Sequence, residues 1–141
     1  MDEKALIREA FRARERSYSP YSNYRVGAAL LTKSGRVYHG CNIENASFTP
    51  TNCAERTAFF KAVSEGETEF EAIAVVGAAA DTPFEQFGFT YPCGVCRQVM
   101  REFCDPHSFR VITARSEDDY LSCTLEALLP YSFGPPEGGR W

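Results

Sequence analysis

Two short cysteine-bearing stretches constrain the fold of this chain more than any other feature. The first is Asn52-Cys-Ala-Glu-Arg56, and the second is Pro92-Cys-Gly-Val-Cys96, which begins 40 residues later. Turn and capping residues precede the first stretch, and helix-favouring residues without Gly or Pro follow it as far as Val63. Helix-favouring residues also follow the second stretch. The sequence therefore predicts that both stretches begin helices whose N-termini meet in the fold.

Cys53, Cys93 and Cys96 are candidate ligands for a single metal ion. The positive end of a helix dipole and the free backbone N–H groups of a first turn favour thiolate over thiol. Zinc is the metal that suits several thiolates. A redox-active pair formed by Cys93 and Cys96 is the alternative, but it leaves Cys53 and its neighbours unexplained.

A structural zinc site would need a fourth protein ligand, and a catalytic site would leave that position open. Cys104 lies eight residues beyond Cys96, about 12 Å along a continuous helix, so it cannot reach the same ion. Spacing alone does not exclude Cys41 or Cys123, but neither has a partner at ligand spacing. We expect a three-ligand, catalytic zinc, and a structural zinc module is the non-enzymatic alternative.

Glu55 is the candidate catalytic residue. It follows a predicted ligand by two positions in a first helical turn, so its carboxylate can lie beside the metal without binding it. A carboxylate there is placed to take a proton from a water molecule at the metal. The alternative is an acidic residue that merely complements the helix dipole.

The order of predicted elements indicates an α/β protein. They are a helix over 2–17, strands at Tyr24–Thr32, Val37–Ile43, Ala72–Gly77 and Phe109–Thr113, helices from Cys53 and from Cys93, and a short helix over Thr124–Leu129. Lys33-Ser-Gly-Arg36 joins the first two strands as a hairpin. The later strand–helix–strand alternation predicts helices packed on a mixed, largely parallel sheet with an antiparallel first hairpin.

Composition limits the other possibilities. With 141 residues and 44% hydrophobic content, the chain has core for one domain, 1–141. The net charge of −4, with acids and bases mixed, argues against a general nucleic-acid-binding surface. We expect no membrane span, because no apolar stretch has the required length. The charged N-terminus lacks a signal-type core, so we expect a soluble, cytoplasmic protein with reduced cysteines.

The combination of Cys53-Ala-Glu55 with Pro92-Cys-x-x-Cys96 resembles the zinc signature of nucleoside and nucleobase deaminases. The wider chain is similar to the small homotetrameric cytidine deaminases, and its matching motifs occur in the family order over nearly the whole length. These motifs are Tyr18-Ser-Pro-Tyr-Ser22, Asn42-Ile-Glu-Asn45, Cys53-Ala-Glu-Arg56, Pro92-Cys-Gly-Val-Cys-Arg-Gln98 and Leu128-Leu-Pro130.

This resemblance implies a three-layer α/β/α cytidine-deaminase-like fold with about five strands and one zinc ion per subunit. It implies hydrolysis of cytidine and 2′-deoxycytidine to uridine and 2′-deoxyuridine, with release of ammonia, in pyrimidine salvage. It also implies a homotetramer. Glu55 would move protons between water, ring N3 and the departing amino group.

Asn42 and Glu44 lie at the end of a predicted strand, where i and i+2 face the same side. Such a pair can hydrogen-bond sugar hydroxyls, but the residues alone favour turn formation by Asn42 and Asn45. The resemblance assigns the Asn-x-Glu pair to the ribose.

The resemblance assigns four further residues. Arg56 would donate hydrogen bonds to the ligand thiolates, which is physically useful because three thiolates leave divalent zinc with a formal charge of −1. Ala54 would contact the base through its backbone, and Tyr24 would line the substrate site. Phe133 would stack on the base in a neighbouring subunit's site.

The segment from Phe84 to Tyr91 is longer and more aromatic than in the resembling family, so we expect it to cover the pocket mouth or a subunit interface. The Gly/Pro-rich tail, 134–141, is expected to be flexible. Two related activities stay open. A nucleic-acid-editing deaminase should show a basic groove, and a blasticidin-S-type deaminase differs in what holds the end of the substrate away from the cytosine.

Overall fold

The computed structural model describes residues 1–136. The elements are α1 (Glu3–Arg14), β1 (Tyr24–Thr32), β2 (Val37–Cys41), α2 (Ala54–Ser64), β3 (Phe70–Ala79), a 3₁₀ turn (Phe84–Gln86), α3 (Gly94–Phe103), β4 (Arg110–Ser116), β5 (Asp119–Thr124) and α4 (Leu125–Leu128). Every element named from the sequence is present; β1 has the predicted bounds, and the ends of the other elements differ by a few residues. The sequence patterns missed β5, whose side chains are largely exposed or half-buried.

The five strands form one mixed sheet in the order β2-β1-β3-β4-β5, which confirms the expected number of strands. The expectation that the sheet is largely parallel is wrong. Only β3 and β4 pair in parallel, whereas β1 pairs antiparallel with both β2 and β3, and β4 pairs antiparallel with β5. The helix between β2 and β3 does join strands of the same direction. However, β1 lies between β2 and β3 in the sheet. The strand–helix–strand order therefore predicted correctly that β2 and β3 run in the same direction, but not that each would pair with β1.

Helices cover both faces of the sheet. Helix α1 packs with one set of strand residues, which includes Ala29, Ala74 and Ile112. Helices α2, α3 and α4 pack with the alternate set, which includes Leu30 and Val75. This alternation follows from the two-residue period of a strand, and it produces three layers with the sheet in the middle.

Gly40 lets α2 approach the sheet closely. A Cβ atom at this position would lie 2.2 Å from the Ala54 carbonyl oxygen and 2.6 Å from the Ala58 backbone nitrogen. No other residue fits without moving the helix, because both neighbours are backbone atoms. The contact fixes the first turn of α2 against the sheet, and that turn carries Cys53 and Glu55.

The C-terminal segment lies along α3. Arg97 donates to the Leu128 carbonyl oxygen at 2.7 Å, and Arg101 donates to the Pro135 carbonyl oxygen at 2.8 Å. Pro135 is buried, so the described part of the expected 134–141 tail is packed. Residues 137–141 of that tail lie outside the described residues. Within 1–136, none of the helices has the length and apolar composition that a membrane crossing requires.

Candidate active site

Three cysteine thiols converge where α2 and α3 begin. Cys53 is the N-cap of α2, Cys93 is the N-cap of α3, and Cys96 lies in the first turn of α3. The Sγ atoms of Cys53 and Cys93 are 3.9 Å apart, and all three sulfurs lie within 4.8 Å of one another. Neither N-cap sulfur accepts a capping hydrogen bond from a backbone N–H of its own helix, so both sulfurs remain available to a shared ligand.

The donor set fits zinc. Zn–S bonds of about 2.3 Å in a tetrahedron place ligand sulfurs about 3.8 Å apart. The 3.9 Å separation of Cys53 and Cys93 agrees with that value. Among the residues that the structure describes, the cluster of possible ligand atoms has three members, and the Glu55 carboxylate is not one of them.

Arg56 contacts the thiol cluster. Its Nη2 donates to the Cys53 sulfur at 3.3 Å, while its buried Nε has no hydrogen-bond partner within residues 1–136. The pKa of the Cys53 thiol is lowered, mainly by a hydrogen bond from Cys96 and to a smaller extent by the Arg56 guanidinium. The arrangement therefore favours negative charge on the Cys53 sulfur, which is the form that binds metal.

Glu55 lies beside this cluster in the first turn of α2. Its side chain is buried, with 4% of the residue exposed, and burial raises the pKa of the carboxyl group to about 7. A carboxyl group with a pKa near neutrality can both accept and release a proton. Within residues 1–136, no basic side chain forms an ion pair with Glu55, and a backbone N–H that donates to its carboxyl group only partly offsets the rise in its pKa.

A pocket of about 340 Å³ opens onto Glu55 and two of the thiols. Its lining residues are Ser22, Tyr24, Val26, Asn42, Glu44, Thr51, Asn52, Cys53, Ala54, Glu55, Thr90, Tyr91 and Cys93. The volume is at the lower end of the range for small-molecule sites. Except for Cys96, Arg56 and Phe133, every site residue expected from the sequence lines this one pocket.

Asn42 is buried and largely committed to bonds within the fold. Its Oδ1 accepts from the Val26 backbone nitrogen at 2.9 Å and from the Ser17 hydroxyl, and its Nδ2 donates to the Tyr24 carbonyl oxygen at 2.8 Å. These partners fix the orientation of the amide, because the Val26 N–H can only donate and the Tyr24 carbonyl can only accept. One N–H of Asn42 remains for a ligand.

Glu44 holds a tight turn beside the pocket. Its Oε1 accepts from the backbone nitrogens of Tyr21 and Ser22, each at 3.0 Å, and its Oε2 accepts from the Ser22 hydroxyl. The Ser22 hydroxyl is the main cause of a lowered pKa at Glu44, so the group is a carboxylate at neutral pH. Its remaining lone pairs can accept hydrogen bonds from a ligand's hydroxyl groups.

This chain matches a known protein family over most of its length. A family model described as the cytidine and deoxycytidylate deaminase zinc-binding region matches residues 1–112. The chain belongs to the cytidine and deoxycytidylate deaminase family. Zinc is accordingly the cofactor of this chain, in agreement with the three clustered thiols.

Individual relatives in this family are similar over most of the chain. A cytidine deaminase of Sporosarcina psychrophila is 52% identical over 133 residues, which are 94% of this chain and 92% of the relative. A blasticidin-S deaminase of Bacillus cereus is 31% identical over 113 residues, which are 79% of each protein.

Solved structures of cytidine deaminases share the fold. The structure from Burkholderia pseudomallei has a TM-score of 0.83 and 48% identity, covering 94% of this chain and all of that one. The structure from Mycobacterium tuberculosis has a TM-score of 0.78 and 34% identity, covering 95% and 98%. These similarities and the two helical layers confirm the three-layer α/β/α prediction.

The aromatic segment, residues 84–91, touches both α1 and the pocket. Phe84 and Phe87 pack on Phe11 of α1, with ring centroids 5.1 and 5.8 Å away. At the other end of the segment, Thr90 and Tyr91 line the pocket. The sequence predicted this segment at the pocket mouth or at a subunit interface because of its aromatic composition, but it did not single out Thr90 or Tyr91 as site residues.

Phe133 lies away from the pocket of its own chain. Its backbone carbonyl oxygen accepts a hydrogen bond from Gln98 of α3 at 2.9 Å, and 77% of the residue is exposed. Phe133 is therefore not part of the pocket lining in its own chain.

Proposed function

We propose that this chain is a cytidine deaminase that hydrolyses cytidine and 2′-deoxycytidine to uridine and 2′-deoxyuridine with release of ammonia. The whole chain, 1–141, would act as one catalytic domain. The observation that carries the proposal is the buried Glu55 carboxylate, which faces the same pocket as the converged thiols of Cys53 and Cys93. A preference for cytidine over blasticidin S is supported by the higher identity to a cytidine deaminase, 52%, than to a blasticidin-S deaminase, 31%.

The chemistry divides between the cofactor and Glu55. Zinc, held by Cys53, Cys93 and Cys96, supplies a Lewis acid that lowers the pKa of a water molecule. Glu55 accepts a proton from this water while the water oxygen bonds to C4 of the cytosine ring. Glu55 then donates that proton to ring N3. Glu55 next transfers the second water proton to the amino group, so that the C4–N bond breaks and ammonia leaves. The raised pKa of Glu55 suits a group that must take and return protons.

The other proposed roles concern substrate position. The remaining N–H of Asn42 and the carboxylate of Glu44 would bind sugar hydroxyls. The backbone N–H of Ala54, in the first turn of α2, has no partner within its helix and would bind the edge of the base. The Tyr24 ring would form part of the wall.

Replacement of Glu44 by Gln is expected to raise KM for cytidine about 10- to 100-fold, because a hydrogen bond to a charged group contributes about 1.5–3 kcal/mol. The amide oxygen can still accept from the Ser22 backbone nitrogen, so the turn should persist. The matched substrate is 2′,3′-dideoxycytidine, which lacks both hydroxyls, and its KM should change much less. Equal changes for the two nucleosides would contradict a role in sugar binding.

Replacement of Arg56 by Ala is expected to weaken zinc retention and activity, because the Cys53 sulfur loses its 3.3 Å donor. The measurement is zinc content after dialysis against a chelator, together with kcat. Arg12→Ala is the control, since Arg12 is on the exposed side of α1 and pairs with Glu9. Wild-type zinc content and kcat in the Arg56 variant would count against the role.

We also propose a cytoplasmic homotetramer in which Phe133 contributes to the neighbouring site. Exposed aromatic side chains near the pocket support association, namely Tyr18, Tyr21, Phe48 and Tyr91. The six unpaired cysteines suit a reducing compartment. Mass measurement in solution tests the tetramer, and a monomer with full activity would contradict the role of Phe133.

The proposed function is tested by ultraviolet absorbance change and ammonia release with cytidine, 2′-deoxycytidine and blasticidin S. Turnover of the two nucleosides, with little on blasticidin S, is the expected result. Turnover of blasticidin S alone would favour the other activity represented among the relatives. A zinc-loaded protein that acts on none of the three would contradict the proposal.

A further inference from the structure

Three groups form an ordered hydrogen-bond chain in the pocket wall. The Tyr24 hydroxyl lies 2.8 Å from the Thr90 hydroxyl, and Thr90 donates to the Gly77 carbonyl oxygen at 3.0 Å. A carbonyl can only accept, so the single Thr90 hydrogen points to Gly77. Tyr24 must therefore donate to Thr90. This use of its hydrogen leaves the Tyr24 hydroxyl without a proton to donate to a substrate.

The chain joins three separate parts of the fold. Tyr24 begins β1, Gly77 lies near the end of β3, and Thr90 belongs to the segment that leads into α3. Tyr91, the next residue, lines the pocket and is 53% exposed, and the ligand Cys93 follows two residues later. The bond from Thr90 to Gly77 therefore anchors to β3 the backbone segment that carries Tyr91 and Cys93.

Gly77 makes room for this contact. A Cβ atom at position 77 would lie 2.7 Å from the Thr90 hydroxyl oxygen and 3.1 Å from its methyl carbon. A methyl group here would push the Thr90 side chain away from β3. The absence of a side chain at Gly77 and the hydroxyl at Thr90 are two parts of the same packing arrangement.

We propose that Thr90 is a positioning residue for nucleoside binding, acting through Tyr24 and Gly77 to set the width of the pocket between β1 and Tyr91. The inference rests on the proposed function, since it concerns the same pocket. Thr90 does not need to touch the reacting atoms, and its effect should fall on KM more than on kcat.

The test compares Thr90→Val, Tyr24→Phe and the double variant, with KM and kcat for cytidine, the Kd of uridine and Tm measured for each. Thr90→Val has nearly the same shape without the hydroxyl, and it should raise KM and the uridine Kd about three- to tenfold. The double variant should be no worse than Thr90→Val, because both changes break one chain. Thr90→Ser retains the hydroxyl and should restore KM to within about twofold of the wild type.

Gly77→Ala reaches the same contact from the other side and should reproduce the higher KM. Tyr120→Phe is the matched control, because Tyr120 lies on β5 and does not line the pocket. Unchanged KM in Thr90→Val, independent multiplication of the two effects, or failure of Thr90→Ser to restore KM would overturn the inference alone. Wild-type protein that does not act on cytidine would overturn the proposed function and this inference with it.

Discussion

Glu55→Gln is expected to lower kcat for cytidine by about 10²–10⁴, the range typical of a lost general acid–base group. Glutamine has nearly the same shape as the buried carboxyl group, so the pocket should keep its form. Its amide can neither accept the proton from water nor return it to the ring. The measurement is single-turnover deamination together with the zinc content of the same sample.

Glu65→Gln is the control for this substitution. Glu65 is the C-cap of α2, the helix that carries Glu55, but it is exposed at the opposite end. The control should keep wild-type kcat. If Glu55→Gln retained zinc and full kcat, the carboxylate would have no role in proton transfer and the proposed mechanism would be wrong.

Cys96→Ala is expected to reduce bound zinc to below about a tenth of an ion per chain and to lower activity by more than about 100-fold. Two remaining thiols hold zinc much less tightly than three, because each missing ligand must be replaced by water. The measurements are metal analysis of the purified protein and kcat without added zinc. Tm should also fall, since metal binding stabilises only the folded site.

Cys104→Ala separates loss of the ligand from loss of packing. Cys96 and Cys104 both belong to the α3 region and are both buried, with exposures of 1% and 3%. The two substitutions therefore leave cavities of similar size, and each should lower Tm. Only Cys96→Ala should lose zinc. Full zinc content in that variant, or equal loss in both, would contradict the assignment of Cys96 as a ligand.

The site residues that could be predicted from the sequence are those marked by short motifs of neighbouring residues. Cys53, Glu55, Cys93 and Cys96 each occur at a helix start, where capping residues and composition determine the local structure. The structure brings all four to one place. The resemblance to a family supplied Arg56, and its contact with Cys53 is present at 3.3 Å.

Features that depend on distant pairing could not be predicted in the same way. The position of β1 between β2 and β3 depends on which strand edges meet, and the hydrophobic runs do not specify that. The hydrogen bond from the Thr90 side chain to the Gly77 carbonyl oxygen joins residues 13 positions apart, and no local sequence pattern indicates it. The sequence predicted that Asn42 either forms a turn or binds a ligand. In the structure its side-chain amide bonds to the backbone of β1, and one N–H of that amide remains available to a ligand.

Gly40 has a consequence for the interpretation of mutational tolerance in this chain. Gly40 has no side chain and does not line the pocket that contains Glu55. Its backbone nevertheless lies against the turn that carries Cys53 and Glu55. Even an alanine there must displace α2, and a small displacement of that helix moves a metal ligand and a carboxylate together. A screen that scores activity would therefore rank position 40 with the catalytic residues, although its contribution is the absence of a side chain.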